Sequence, residues 1–375
     1  MSANTRNYSV TIAKALGILS VVLAHSGMPI CVFNYITMFA MPLFFFLSGY
    51  CFKDKYLGEK KTFLCKRIKG LYWPYAKWGI VFVLLHNFFY SVGIYNDTSE
   101  FNGHVIHPYT TIEFWKKIIS VVTMHGTERL LGAFWFLRSL FYASLFFLFV
   151  RSVIKNVWLG AVVLFVLAFV SSYFNIRVPY LHIGHVDFFA AYFIMVGHGV
   201  KTLKIKSKTI VQYVNNSWPL IIVFALIVGV GSVFWPSSVN CKWNTMLPYS
   251  ITAILGTLMI FAIGDKLNRL TCNASLLCNR IISVIKSLVV YIGEHTLEIL
   301  TWHFLSFKIV SLIIIYTYRL SWDRLGDFPV ISYYAHRGWC FAYTIAGVCI
   351  PIMGTYFYNI SIWKFKMHIQ NYTKH

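Results

Sequence analysis

The chain has 375 residues, 58% of them apolar and only 12% charged, with a mean hydropathy of +0.64. Soluble globular domains are nearer half apolar and one quarter charged, so this composition excludes a disordered protein, argues against a soluble enzyme and fits a polytopic membrane protein. The net charge of +21 would suggest nucleic acid in a soluble chain, so the position of that charge along the sequence decides its meaning.

Ten apolar segments are predicted, at 8–27, 34–52, 71–93, 131–150, 157–174, 184–200, 218–235, 247–264, 295–316 and 339–361. Most approach the roughly 20 residues that a helix needs to cross the hydrocarbon core. The stretch 281–318 is too long for one helix and is divided at Gly293, with an interfacial piece before it and a span after it. With the N-terminus on one face, 21 Lys and Arg fall on that face and eight on the other, while Lys14, Lys77, Arg138 and Lys308 lie within spans. The positive-inside rule then places both termini in the cytoplasm. The expected fold is all-α: a polytopic membrane bundle of about ten transmembrane helices, forming a single domain over residues 1–375. The basic excess then reflects topology and attraction to anionic lipid, and no nucleic-acid partner is expected. The first segment reads as a signal anchor. The polar insert 94–130 lies on the outer face and reads as an interfacial helix or a lid. The eight cysteines form no C-x-x-C pair, and the His104/His107 and His182/His185 pairs lack a third ligand, so neither a metal site nor a disulfide framework is expected. The glycosylation patterns at Asn273 and Asn359 fall at the cytoplasmic face and carry no reading.

Ionisable side chains inside a membrane default to a functional reading. Lys14 and His25 are eleven residues apart in the first span, which puts them on one helix face about 16 Å apart. The plain alternative is a snorkelling lysine and an interfacial histidine. Arg138, next to Trp135 in Phe134-Trp-Phe-Leu-Arg138, and Asp187 both lie in the outer half. They suit either a substrate site or an ion pair that orients helices. Glu298, with Glu294 one turn before it, shares the ninth span with His303; these serve chemistry or form a satisfied polar pair. Lys66, Arg67 and Lys69 form the densest basic cluster. It is a topology signal or a docking point for phosphates.

Five segments together resemble the acyltransferase-3 family of integral membrane acyltransferases, which includes polysaccharide O-acetyltransferases and a fucose 4-O-acetylase-like branch. They are Ile12-Ala-Lys14 through Ala24-His25, Met41-Pro42 through Gly49-Tyr50, Arg67-Ile-Lys69 through Pro74-Tyr75, Phe134-Trp-Phe-Leu137 with Leu140-Phe141, and Tyr291-Ile-Gly293 through Trp302-His303. Their order and spacing follow the family along nearly the whole chain. The resemblance implies that acetyl-CoA binds from the cytoplasm and that its acetyl group ends on an acceptor across the membrane. It implies His25 as the essential histidine, Lys14 as the basic residue ahead of it, Arg67 and Lys69 as the pair meeting the CoA phosphates, and His303 as a recurrent late histidine. Glu298 and Arg138 have no secure counterpart. Thr11 stands where the family often has an acid, Ala40 where a histidine commonly precedes Met-Pro-Leu, and Ala24 where a glycine is usual.

Acyl transfer from a thioester to a hydroxyl needs a base, oxyanion donors and a held thioester. The catalytic candidates are His25, Lys14, Glu298 and His303, and the CoA-binding candidates are Lys14, Lys66, Arg67 and Lys69. Arg138 and Tyr50 are candidate oxyanion donors and, with Asp187 and Trp135, form the candidate acceptor set. The expected activity is O-acetylation of a cell-envelope glycan or its lipid-linked precursor, in a bacterial inner membrane, without a metal. The expected partners are the bilayer, acetyl-CoA and that acceptor. The alternatives are transfer of another acyl group, a small-molecule acceptor, or a non-catalytic carrier exporting a lipid or glycan intermediate. A carrier would more often show paired broken helices in two halves, and no such pairing is found.

Overall fold

The computed structural model describes residues 8–96, 107–178, 181, 183–206, 217–270 and 276–372, without the side chains of 204–206, 276 and 362–372. His104, His182, Cys272 and the Asn273 pattern lie outside the described residues. All ten apolar segments carry helix. In chain order these are α1 (Tyr8–His25), α2 (Ile30–Thr37), α3 (Ala40–Tyr50), α4 (Lys60–Arg67), α5 (Trp73–Leu84), α6 (His86–Ser91), α7 (Thr111–Val122), α8 (Trp135–Val153), α9 (Val157–Tyr173), α10 (His185–Lys206), α11 (Trp218–Phe234), α12 (Trp243–Arg269), α13 (Leu276–Glu294), α14 (Thr296–Tyr318) and α15 (Cys340–Tyr372). Among the described residues, six stretches are long and apolar enough to cross a membrane: α1, Ile30–Tyr50, Arg129–Val153, α12, α14 and Ser332–Ser361. Helices α9 and α11 are apolar but shorter. The chain is an all-α, polytopic membrane bundle.

Local chemistry sets several helix ends. The Asn156 side chain accepts the N–H groups of Trp158 and Leu159 to start α9, and Ser217 caps α11 ahead of Pro219. Thr110 and Glu113 form a capping box at the start of α7. Gly27, at a left-handed φ of 79°, turns the chain two residues past His25. A side chain there would strike Ala335 and Val330.

Helix α1 is the hub, touching α2, α3, α12, α13, α14 and α15. Small residues permit these approaches, as expected where lipid supplies no hydrophobic drive between helices. A Cβ at Gly264 of α12 would press on the backbone of Ser9 and Ala13, and one at Gly293 of α13 would overlap the Thr11 carbonyl. Helices α3 and α10 cross in the same way, Gly49 against the Ile194 carbonyl and Gly197 against the Phe46 carbonyl.

Three segments differ from the sequence reading. The long stretch breaks at His295 (φ −107°, ψ 30°) rather than at Gly293, because Gly293 is a packing glycine inside α13. The third segment starts earlier than 71: α4, a π-helical turn over Ile68–Tyr72 and α5 form one continuous run from Lys60 to Leu84. Pro74 has no N–H to give the turn before it, and a π turn is one way for a helix to pass such a residue. The cluster Lys66, Arg67 and Lys69 therefore rides on a helix and not in a loop. The insert does form an amphipathic helix, α7, but it lies along α5. Tyr109 N–H donates to Asn87 at one end, Val121 fills the space over Gly79, and the Tyr72 hydroxyl donates to the Val122 carbonyl. Ile112, Trp115, Ile119 and Val122 form its exposed apolar stripe.

Candidate active site

The last residue of α1 and the third turn of α14 bring two histidines together. His25 Nδ1 lies 3.2 Å from His303 Nε2, and the rings stack at 5.3 Å with 17° between their planes. His303 Nδ1 sits 3.0 Å from the carbonyls of both Ile299 and Leu300. Carbonyls only accept, so Nδ1 carries the proton and, in a neutral ring, Nε2 is the acceptor. His25 Nδ1–H must then donate to it. The hydrogen-bond network thus assigns a lone pair to His25 Nε2, the form a general base requires. His303 is buried, and Phe304 packs on both rings at 4.8 and 4.0 Å.

A cavity of about 500 Å³ approaches this pair along α1. Val10, Lys14, Ile18 and Val21 line it from one face of α1, and Leu300 lines it from α14. Val21 and Leu300 lie about one turn from His25 and His303, so the apolar end of the cavity stops just short of the pair. The other end holds Lys14, Lys66 and Arg67. Arg67 Nη2 donates to Ser48 Oγ at 2.9 Å, its guanidinium stacks on Phe63 at 4.7 Å, and its Nε is buried without a partner. Lys66 Nζ donates to the Tyr56 hydroxyl at 2.6 Å. Three cations gathered in a partly apolar wall suit an anion. Lys69 is exposed and outside this lining.

Other predicted residues are placed elsewhere. Glu298 faces a second, larger cavity on the opposite side of α14, so the structure does not bring it to His303. Tyr50 packs against Phe46 and Phe261 and does not line the first cavity. Trp135 is 40% exposed. Asp187 is fully buried; its Oδ2 accepts the Gly184 N–H at 3.0 Å, which closes the start of α10. Arg138 sits near enough for its charge to act on Asp187, yet among the described residues no direct ion pair joins them. Arg138 Nε, Ser139 Oγ and Asp187 Oδ1 are buried and unpartnered. Where the family often has an acid, Thr11 instead packs on Gly293.

Sequence reasoning missed Ser48 and Tyr56, which accept from Arg67 and Lys66. It also missed a buried network at the far end of α5. His86 Nδ1 meets Glu128 Oε2 at 2.9 Å, His86 Nε2 meets the His107 carbonyl at 2.9 Å, and the Tyr109 hydroxyl donates to Glu128 Oε1 at 2.8 Å. These partners come from the insert, whose register against α5 no spacing rule gives.

No curated protein and no solved structure matches the chain. The model of the family described as an acyltransferase domain, acyltransferase-3, matches residues 7–356. A histidine pair about one turn beyond a cationic cavity inside a membrane bundle is coherent with that match, and the chain belongs to the acyltransferase-3 family.

Proposed function

We propose that this membrane acyltransferase moves an acetyl group from cytoplasmic acetyl-CoA to a hydroxyl of a cell-envelope glycan or its lipid-linked precursor, in a bacterial inner membrane. The observation that carries the reading is the His25–His303 pair at the end of the cavity lined by Lys14, Lys66 and Arg67. The three cations hold the CoA phosphates. The pantetheine arm then runs along the Lys14–Val21 face, a path about as long as the 16 Å rise from Lys14 to His25. His25 Nε2 takes the proton from the acceptor hydroxyl as its oxygen attacks the thioester carbon. The C–S bond breaks, the new C–O ester forms, and the proton passes from His25 to the departing thiolate, giving free CoA. His303 holds His25 in the productive tautomer throughout.

The test uses protein reconstituted in nanodiscs with labelled acetyl-CoA, together with proton NMR of O-acetyl groups in the host envelope. Wild type should release CoA thiol and restore acetylation to a deletion strain. His25→Ala at matched membrane level should lower both by at least about 10³-fold. Full restoration by His25→Ala would overturn the reading, and loss of the polymer itself with unchanged acetylation would point to a carrier.

A further inference from the structure

The second cavity, about 930 Å³, lies between α5, α14 and α15. It occupies the face of α14 opposite to the histidine pair. Glu298, Thr301, Trp302, Leu305, Ile309 and Leu312 line it at helical spacing. Trp78 of α5 packs edge-on against Trp302 at 4.9 Å to build the floor. Across from them, Gly354 lines the groove and has nothing within 4 Å of where its Cβ would be, so the space is open at that level. The rim residues Trp73, Ile309, Trp322 and Tyr358 are exposed and apolar or amphipathic. The groove therefore opens sideways into the bilayer rather than into water.

Its two ends differ in charge. One carries Glu298 and His295, with Lys77 stacked over Trp78. The other carries Lys308, which is 3% exposed. Lys308 Nζ donates to the main-chain carbonyls of Leu325 at 2.9 Å and Asp327 at 2.5 Å. An ammonium has three donors, and both of these acceptors are neutral. The Asp327 carboxylate is turned to Arg324 at 2.7 Å. The two carbonyls take two of the three donors, and the charges of Asp327 and Arg129 act on the amine from nearby, so one N–H is left to meet an anion in the groove.

Lys308 also sits at the edge of the path to the histidines. Its Nζ lies 5.9 Å from the centre of the Phe328 ring, Phe328 packs on Phe304 at 4.8 Å, and Phe304 packs on His25 at 4.8 Å. Along α14, Lys308 is about 7.5 Å from His303. A group attached beyond an anion at Lys308 is thus led around α14 over two aromatic rings toward His25.

We propose that this groove binds the hydrocarbon chain of a lipid-linked acceptor, with its phosphate at Lys308 and its glycan directed over Phe328 and Phe304. The assignment rests on the acyl-transfer reading above and narrows its acceptor to the lipid-linked class.

The experiment uses the full chain in phosphatidylcholine nanodiscs with a polyisoprenyl phosphate carrying a diazirine on its chain. Illumination should label peptides covering Thr301–Leu312 and Ile350–Tyr358. Unlabelled polyisoprenyl phosphate should compete, and an equal amount of phosphatidylglycerol should not. Gly354→Trp, whose Cβ would meet nothing within 4 Å, should reduce labelling at least tenfold. Lys308→Met should do the same and Lys308→Arg should retain part of it. Labelling spread over the whole lipid-facing surface, equal competition by phosphatidylglycerol, or full labelling in Gly354→Trp would overturn the proposal, leaving ordinary bilayer lipid in the groove. Because labelling does not require turnover, specific labelling without any acetyl transfer would sink the enzymatic reading and keep the groove. Transfer to a soluble glycan without labelling would do the reverse.

Discussion

Among the described residues, the histidine sites at His86 and His25 have opposite character. At the far end of α5, His86 has both ring nitrogens engaged, one by Glu128 and one by the His107 carbonyl, and Tyr109 stacks on it at 3.5 Å. Every polar atom in that group has a fixed partner, so it ties the insert to the bundle and has no atom left for chemistry. At the end of α1, His25 spends one nitrogen on His303 and keeps the other. The difference teaches that these two histidines are told apart by their remaining lone pairs rather than by burial: full satisfaction makes His86 a clamp, and the withheld nitrogen of His25 suits it to act as a base.

Substitutions sharpen this contrast. After loss of His25 itself, the largest expected effect is from His303→Leu. His25 Nδ1–H then has no acceptor and the tautomer is no longer fixed, so kcat should fall on the order of 10²-fold. KM for acetyl-CoA should stay constant and the pH–rate profile should shift. A purely structural role would instead lower folded yield with kcat per folded molecule intact. Glu128→Gln should behave in the opposite way: about 3 kcal/mol of stability lost through a broken buried pair, read as a lower melting midpoint, with normal turnover in the surviving fold. If it abolished turnover at full stability, the clamp assignment would fail. Arg67→Ala should raise KM for acetyl-CoA about tenfold, with a weaker salt dependence, and leave kcat nearly unchanged.

The smallest effect concerns pH. Burial pushes the Asp327 carboxyl up from 3.8 to about 6, against the opposing pull of Arg324, Lys308 and Arg129. Between those values the folded chain holds a proton that the unfolded chain has released, so this residue's contribution to stability falls as pH rises through about 6. Asp327→Asn should flatten the fall in melting midpoint between roughly pH 4 and 7. An unchanged slope would show that another group carries it.

How much of this was legible depends on the range of the interaction. Helix positions follow from hydropathy, a property of each segment alone, and the ten apolar segments all carry helix. Glycine was ambiguous, because the same residue breaks a helix or lets another cross it; at Gly293 the neighbour, Thr11, decides. Lys14 and His25 share a face by periodicity, and Lys14, Ile18 and Val21 do line one cavity. His25 and His303, 278 residues apart, each stood out as an in-span polar residue and again by family resemblance, but their contact came from neither spacing nor charge. The same local geometry separates Glu298 from His303, since five helical steps turn a side chain roughly 140° away. Arg138 and Asp187 share a region without a direct pair, and one oxygen of Asp187 is held by the Gly184 N–H at the start of α10.

One feature of α1 bears on how the protein tolerates change. The cation at Lys14, the cavity wall at Ile18 and Val21 and the proposed base, His25, all belong to a single unbroken helix. Their separation is a ruler cut in whole turns. One inserted alanine between residues 14 and 25 would displace the histidine by only about 1.5 Å along the axis, yet swing it about 100° around it. Inserting a full turn would restore the bearing and lengthen the path instead. The reach of the donor arm is therefore written into helix phase, where no neighbouring loop can readjust it.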